Sequence, residues 1–221
     1  VGSEMCIRDR NYLDHYKLLK MKGMEFMINI NAYPYFVENM DTLKNISYDS
    51  INSEYMTDSQ IKAVSFDEVK RKYTNFFKCS YTCAKSFDGF LQKGNLECFI
   101  EFKNGNLKKE TKSIREKIRD SLLIFCDITS KTISYTRANV ILIVVYNELN
   151  TKMPRDPKRK ICESESMGAI KDFLVDKSKS EIILFDLDKY ERLYFKEVHT
   201  YTVDQFENYV KKVTGVVQNV Q

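Results

Sequence analysis

Asp88, Glu101 and Lys103 stand within one short stretch, SFDGFLQKGNLECFIEFKNG, residues 86–105. Gln92-Lys93-Gly94-Asn95 has turn chemistry between two apolar runs, so the stretch predicts a β-hairpin of Thr82–Leu91 and Leu96–Lys103. Strand side chains alternate faces. Phe99, Glu101 and Lys103 therefore share one face, and Ser86, Asp88 and Phe90 share a face of the partner strand. With Gly94-Asn95 as the turn, paired residue numbers sum to 189 and Asp88 lies opposite Glu101. With Lys93-Gly94 they sum to 187 and Asp88 lies diagonal to it. In either register two carboxylates and an ammonium converge. Adjacent carboxylates repel, and a bound cation relieves that. Mg²⁺ (or Mn²⁺) fits best, as a hard ion held by one or two carboxylates plus water and phosphate oxygens. Lys103 would then orient an attacking water or stabilise charge developing on phosphate.

The acid-x-Lys tripeptide alone is weak, because the chain holds it four times. Glu68-Val-Lys70 and Glu110-Thr-Lys112 fall at helix starts, and Asp156-Pro-Lys158 falls in a proline-containing loop. Only Glu101-Phe-Lys103 follows a hairpin. In that context Asp88, Glu101 and Lys103 resemble the metal site of the PD-(D/E)xK, or restriction-endonuclease-like, nuclease superfamily. The resemblance spans about residues 66–147. It implies an αβββαβ core, a Mg²⁺- or Mn²⁺-dependent cleavage of phosphodiesters, and DNA as the favoured substrate. Two departures stand out: the Asp follows Ser-Phe rather than Pro, and only Phe76–Tyr81 is left for the strand before the Asp-bearing one. The alternative is a catalytically inactive nucleic-acid-binding or interaction protein on the same fold, as in a defence or mobile-element accessory.

Weaker candidates surround this core. Glu68 is placed to be the extra acid that some members supply from the first helix, although a capping box, Ser65-x-x-Glu68, accounts for it without function. Lys117 and Ser121 flank the apolar stripe of the next helix, where family members contact phosphate. Lys152, Arg155, Lys158, Arg159 and Lys160 sit in a basic, proline-containing loop able to track a nucleic-acid backbone. His199 reads as a structural or surface residue.

The elements around these residues predict an α/β protein: a mixed sheet flanked by helices, with a C-terminal α/β extension. The spacing predicts helices from Ser65 to about Phe77, over Lys109–Asp127 and about Ser166–Val175, and a last helix capped by Thr202-x-x-Gln205. Strands are expected at Asn139–Tyr146, Glu181–Leu187 and Leu193–Val198. The longest apolar run, Val140–Tyr146, has strand length and is far short of the ~20 residues of a membrane helix. Net charge is +4, which permits a nucleic-acid partner without demanding one. The cysteines lack metal-ligand spacing, so reduced thiols in a cytoplasmic protein are expected.

The N-terminus reads differently. VGSEMCIRDR resembles the translation of a transposase adapter used in sequencing-library preparation. Met21, Met24 and Met27 are each available as starts, and Lys22-Gly23 can be encoded by a ribosome-binding sequence just upstream of Met27. Residues 1–26 are therefore expected to be artefact and leader, and 27–221 a single domain.

Overall fold

A computed structural model of the chain describes residues 27–105, 107–147 and 183–215. The elements in chain order are α1 (Pro34–Val37), β1 (Met40–Thr42), α2 (Leu43–Ile46), β2 (Tyr48–Asp49), β3 (Glu54–Tyr55), β4 (Lys62–Ser65) and α3 (Phe66–Phe76). There follow β5 (Gly89–Lys93), β6 (Leu96–Lys103), α4 (Leu107–Thr129), α5 (Ile133–Asn139), β7 (Val140–Tyr146), β8 (Glu197–Thr202) and α6 (Val203–Thr214). Six strands form one mixed sheet in the order β1-β4-β5-β6-β7-β8, and β2 and β3 form a separate ribbon. The first four strands of that sheet pair antiparallel, whereas β6, β7 and β8 run parallel. The protein is thus α/β, with a mixed sheet flanked by helices.

Helices cover both faces of the sheet. On one, Phe66 and Val69 of α3 and Ile114, Ile118, Leu122 and Phe125 of α4 pack on Phe90, Phe99, Leu142 and Val144. On the other, Phe206 and Val210 of α6 pack on Leu91, Ile100, Phe102 and Ile143. This is why all seven residues of β7 are apolar and buried: a central strand covered on both sides has no solvent face. Phe90, Phe99 and Phe125 meet with ring centroids 4.9–5.5 Å apart. Each such ring, removed from water, contributes about 1.5–3 kcal/mol.

The β5–β6 hairpin has the register that the Gly94-Asn95 turn dictates, from Lys93↔Leu96 to Gly89↔Ile100. Gly94 sits at φ 57°, a conformation an L side chain resists, and Asn95 does not share it. Glycine at the first central position is the mark of a II′ turn, whose twist matches that of the strands.

Several expectations are corrected. The first hairpin strand is shorter than Thr82–Leu91: residues Tyr81–Cys83 form a 3-10 turn and pairing begins at Gly89. Phe76–Tyr81 contains no strand; β5 takes its other neighbour from β4, which precedes α3 in sequence. Ser65 is the N-cap of α3 but its side chain caps nothing. Residues 183–187 are not a strand, and Phe185 and Asp186 both have positive φ. The strand expected at Leu193–Val198 begins only at Glu197. Thr202 and Gln205 do form a reciprocal capping box on α6. Residues 1–26, the basic segment 152–160 and the helix expected at Ser166–Val175 lie outside the described residues. Among the described residues, no helix is long and apolar enough to cross a membrane.

Candidate active site

The segment before β5 is held from two sides. Ser121 of α4 accepts the Phe87 amide at 2.8 Å, and the Asp88 carbonyl accepts the Phe66 amide at 2.9 Å. The Ser86 hydroxyl donates to Asp67 in the first turn of α3. These bonds set Asp88 one residue outside the ladder, at the open end of the hairpin. Its Oδ2 accepts the Phe102 amide of β6 at 2.7 Å, which leaves Oδ1 to face the cleft.

Glu101, Lys103 and Phe99 share a face of β6, and Phe99 lies in the core cluster beneath α3 and α4. Glu101 is fully buried. Lys117 of α4 reaches down to it from the helix stripe that carries Ile114, Ile118 and Ser121. Its Nζ lies 3.1 Å from Asp88 Oδ1, 2.7 Å from Glu101 Oε1 and 2.9 Å from Glu101 Oε2. Lys103 Nζ lies 2.9 Å from Glu101 Oε1. Two carboxylates and two ammonium groups thus meet at one place with no net charge.

The electrostatics follow from this crowding. Burial, then the neighbouring charge of Glu101, pushes the Asp88 carboxyl up to about 6; Lys117 and the Phe102 amide oppose the rise. Burial pulls the Lys117 ammonium downward, but Asp88 and Glu101 outweigh that and hold it charged well above the ordinary lysine range. Glu101 Oε1 is within ion-pair distance of both ammonium groups, yet accepts no hydrogen bond of good geometry.

A cleft of about 600 Å³ opens over the group. Asp67, Asp88, Lys103 and Lys117 line one side, and residues 46–52, which include β2, line the opposite wall with Met56. The wall is tied to the end of β6: the Asn104 side chain donates to Asp49 at 3.0 Å and to Glu54, and receives Asn147 at 2.9 Å.

Asp88, Glu101 and Lys103 therefore come together, and Lys117 joins them as a direct partner of both carboxylates. Ser121 does not reach the cleft: it is fully buried and its hydroxyl holds the Phe87 amide, so a phosphate contact is closed to it. Glu68 pairs with Arg71 on the exposed side of α3 and does not line the cleft. The acid of that helix that does so is its neighbour Asp67. The sequence marks it only through position, since a helix that opens beside the hairpin end points its first turn there. His199 lies on β8, stacked on Tyr201 with centroids 5.3 Å apart and 3.3 Å from Glu197. Lys152, Arg155, Lys158, Arg159 and Lys160 lie outside the described residues.

Within this cluster, Asp88 Oδ1 and the two oxygens of Glu101 are the oxygens that could hold a metal. They suit one hard divalent ion whose other positions go to water and substrate oxygens. Among the described residues no group of three or more His, Cys, Asp or Glu side chains is placed to hold a metal ion. The chain matches no family model, and neither the curated proteins nor the solved structures yield a match.

Proposed function

We propose that this protein is a metal-dependent nuclease with a restriction-endonuclease-like core, hydrolysing phosphodiesters and preferring DNA. One observation carries the reading: the carboxylates of Asp88 and Glu101 converge on a single cation position, that of Lys117 Nζ, 3.1 Å from Asp88 and 2.7–2.9 Å from Glu101, next to an open cleft that Asp88 and Lys117 line. Stability alone is a weak reason for a buried ion-pair cluster, since well-packed apolar residues of similar volume often stabilise as much.

Asp88 and Glu101 hold Mg²⁺ or Mn²⁺ in this reading, which supplies a Lewis acid for the phosphate and an acidified water. The remaining work belongs to the chain. The Phe102 amide fixes the rotation of Asp88, so that one oxygen faces the cleft. Lys103 sits beside Glu101, placed to orient water or to meet charge that develops on a phosphate oxygen. Residues 46–52, which include β2, wall one side and limit what shape of nucleic acid enters.

The second reading, an inactive nucleic-acid-binding or interaction protein, is favoured by the neutrality of the cluster, since Lys103 and Lys117 already balance the charge of both carboxylates. Incubation with plasmid and single-stranded DNA in Mg²⁺ or Mn²⁺ separates the two. Cleavage by wild type that is lost in Asp88→Asn, Glu101→Gln and Lys103→Met supports the nuclease. Cleavage retained in all three overturns this site, and wild type inert on every substrate gives the second reading the lead.

A further inference from the structure

We propose that Lys117 is a built-in counter-ion that occupies the metal position of the cleft and must leave it when a divalent ion enters. The inference rests on the metal-site reading above and adds a competitor to it.

Lys117 Nζ touches Asp88 Oδ1 at 3.1 Å and both oxygens of Glu101 at 2.7 and 2.9 Å. That is the point from which a single ion reaches both side chains. Mg²⁺ binds oxygen at about 2.0–2.1 Å, so an ion shared by the two carboxylates needs the same volume. An ammonium and a divalent ion within about 3 Å of each other repel strongly in a buried setting. Both cannot stay.

Three features make displacement available. The lysine side chain is a flexible four-carbon stem, so its backbone can remain in α4 while the ammonium moves. The exit is the cleft, which Lys117 itself lines. Asp67 lines the same cleft and already acts on Lys117 through its charge. Without metal, Lys117 removes the repulsion between two buried carboxylates and keeps this part of the chain folded. With metal, its ammonium stands above the site, where a phosphate would lie. Metal affinity in the wild type is therefore lowered by the work of ejecting Lys117.

The test is a Mn²⁺ titration of the full chain without nucleic acid, followed by calorimetry and by the electron paramagnetic resonance of free Mn²⁺. Wild type, Glu101→Gln, Lys117→Met and Lys117→Gln are compared. Glu101→Gln should lose binding. Both Lys117 variants should bind about tenfold more tightly than wild type or better, within the usual range of coupling between two ligands. Lys117→Gln keeps two hydrogen-bond donors for the carboxylates and guards against misfolding. A variant that is unfolded alone but folds at Mn²⁺ concentrations too low to fill wild type supports the proposal equally. One that stays unfolded at saturating Mn²⁺ makes Lys117 structural and overturns it. Equal or tighter binding by wild type overturns the proposal while leaving the metal site standing. No binding by any of the four overturns both.

Discussion

Strand β6 carries two fully buried glutamates four residues apart on one face, and they live in opposite chemical settings. Glu97, near the start of the strand, faces fixed donors. Its Oε1 accepts the Ile28 amide at 2.8 Å, and the Tyr135 hydroxyl lies 2.8 Å from both of its oxygens. Gln92 closes the same corner by donating to the Ile28 carbonyl at 2.6 Å. Burial pushes the Glu97 carboxyl upward, and the hydrogen bonds from Tyr135 and Ile28 offset part of that. Glu101, near the end of the strand, faces two lysine ammonium groups whose side chains line an open cleft. Backbone amides and a tyrosine cannot leave Glu97 without local unfolding. Lysine side chains can leave Glu101 by rotating. The first carboxylate ties a segment of chain to the sheet; the second is able to exchange its partners.

The largest expected effect tests whether that distinction is one of function. Glu101→Gln should lower Mn²⁺-dependent cleavage by about a hundredfold or more, the loss typical of removing one preorganised charge from a reaction centre. Glu97→Gln, an equally conservative change on the same strand face, should leave cleavage within a few-fold of wild type. Equal losses in the two variants would erase the comparison.

Stability should show the reverse emphasis on fixed hydrogen bonds. Glu97→Ala removes the buried acceptor that the Ile28 amide and the Tyr135 hydroxyl share, although the amide keeps the Tyr135 oxygen at 2.8 Å; loss of such an acceptor costs about 1–3 kcal/mol. Urea denaturation should find a loss of a few kcal/mol, and Mn²⁺ affinity should be unchanged in the folded fraction. A loss below about 0.5 kcal/mol, as for an ordinary surface change, would show that this corner is not held as described.

A smaller effect is read in pH. The folded Asp88 carboxyl titrates near 6, above its ordinary value of 3.8. A carboxyl whose value rises on folding favours the folded state below its unfolded value, and that advantage is lost as pH climbs through the folded one. Wild type should therefore lose stability between about pH 4 and 6 through this group. Asp88→Asn has no such proton, so its stability relative to wild type should rise over that window by roughly 1–3 kcal/mol and stay level above it. Denaturation of both proteins at pH 4.5 and pH 7 measures the difference. An unchanged gap would mean that Lys117 neutralises Asp88 more completely than burial disfavours its charge.

What the sequence discloses differs between these regions for physical reasons. The convergence at Glu101 is legible because it depends on period-two alternation and a two-residue turn, both local. The long helix α4 and the buried strand β7 are legible through apolar periodicity. Lys117 can be placed beside the stripe of α4, but its span to both carboxylates depends on how the helix docks, which no spacing encodes. The corner at Glu97 joins residues 28, 97 and 135, and nothing local marks a glutamate that will be buried by partners so far away in sequence. Strands of two to four residues, such as β1 and β4, carry too few positions for alternation to show. The 3-10 turn at Tyr81–Cys83 reads as strand because β-branched and aromatic residues favour strands, while the Ser80 side chain, which accepts the Thr82 amide, selects a turn.

The smallest expected effect concerns the turn that sets the register of Asp88 against Glu101. Gly94 holds φ 57°, and a Cβ placed there would meet no atom within 4 Å, so substitution brings no clash and only backbone strain. Gly94→Ala should cost about 1 kcal/mol, the usual penalty for alanine at positive φ. The decisive question is what the chain does to avoid that strain. Moving the turn one residue back, onto positions 93 and 94, changes the pairing sum from 189 to 187 and shifts β5 along β6 by two residues. Such a shift keeps each side chain on its face, so Phe90 would remain in the core, but Asp88 would move from opposite Glu101 to opposite Phe99. With alanine in place of Gly94 neither turn holds a glycine, so the move relieves nothing. The native register should persist, held by Phe90 against Phe99 and by the Phe102 amide on Asp88. Mn²⁺ affinity should then match wild type despite the lost stability. A fall in affinity out of proportion to the loss in folding would show that the turn, rather than the packing of the sheet, fixes the position of Asp88 against Glu101.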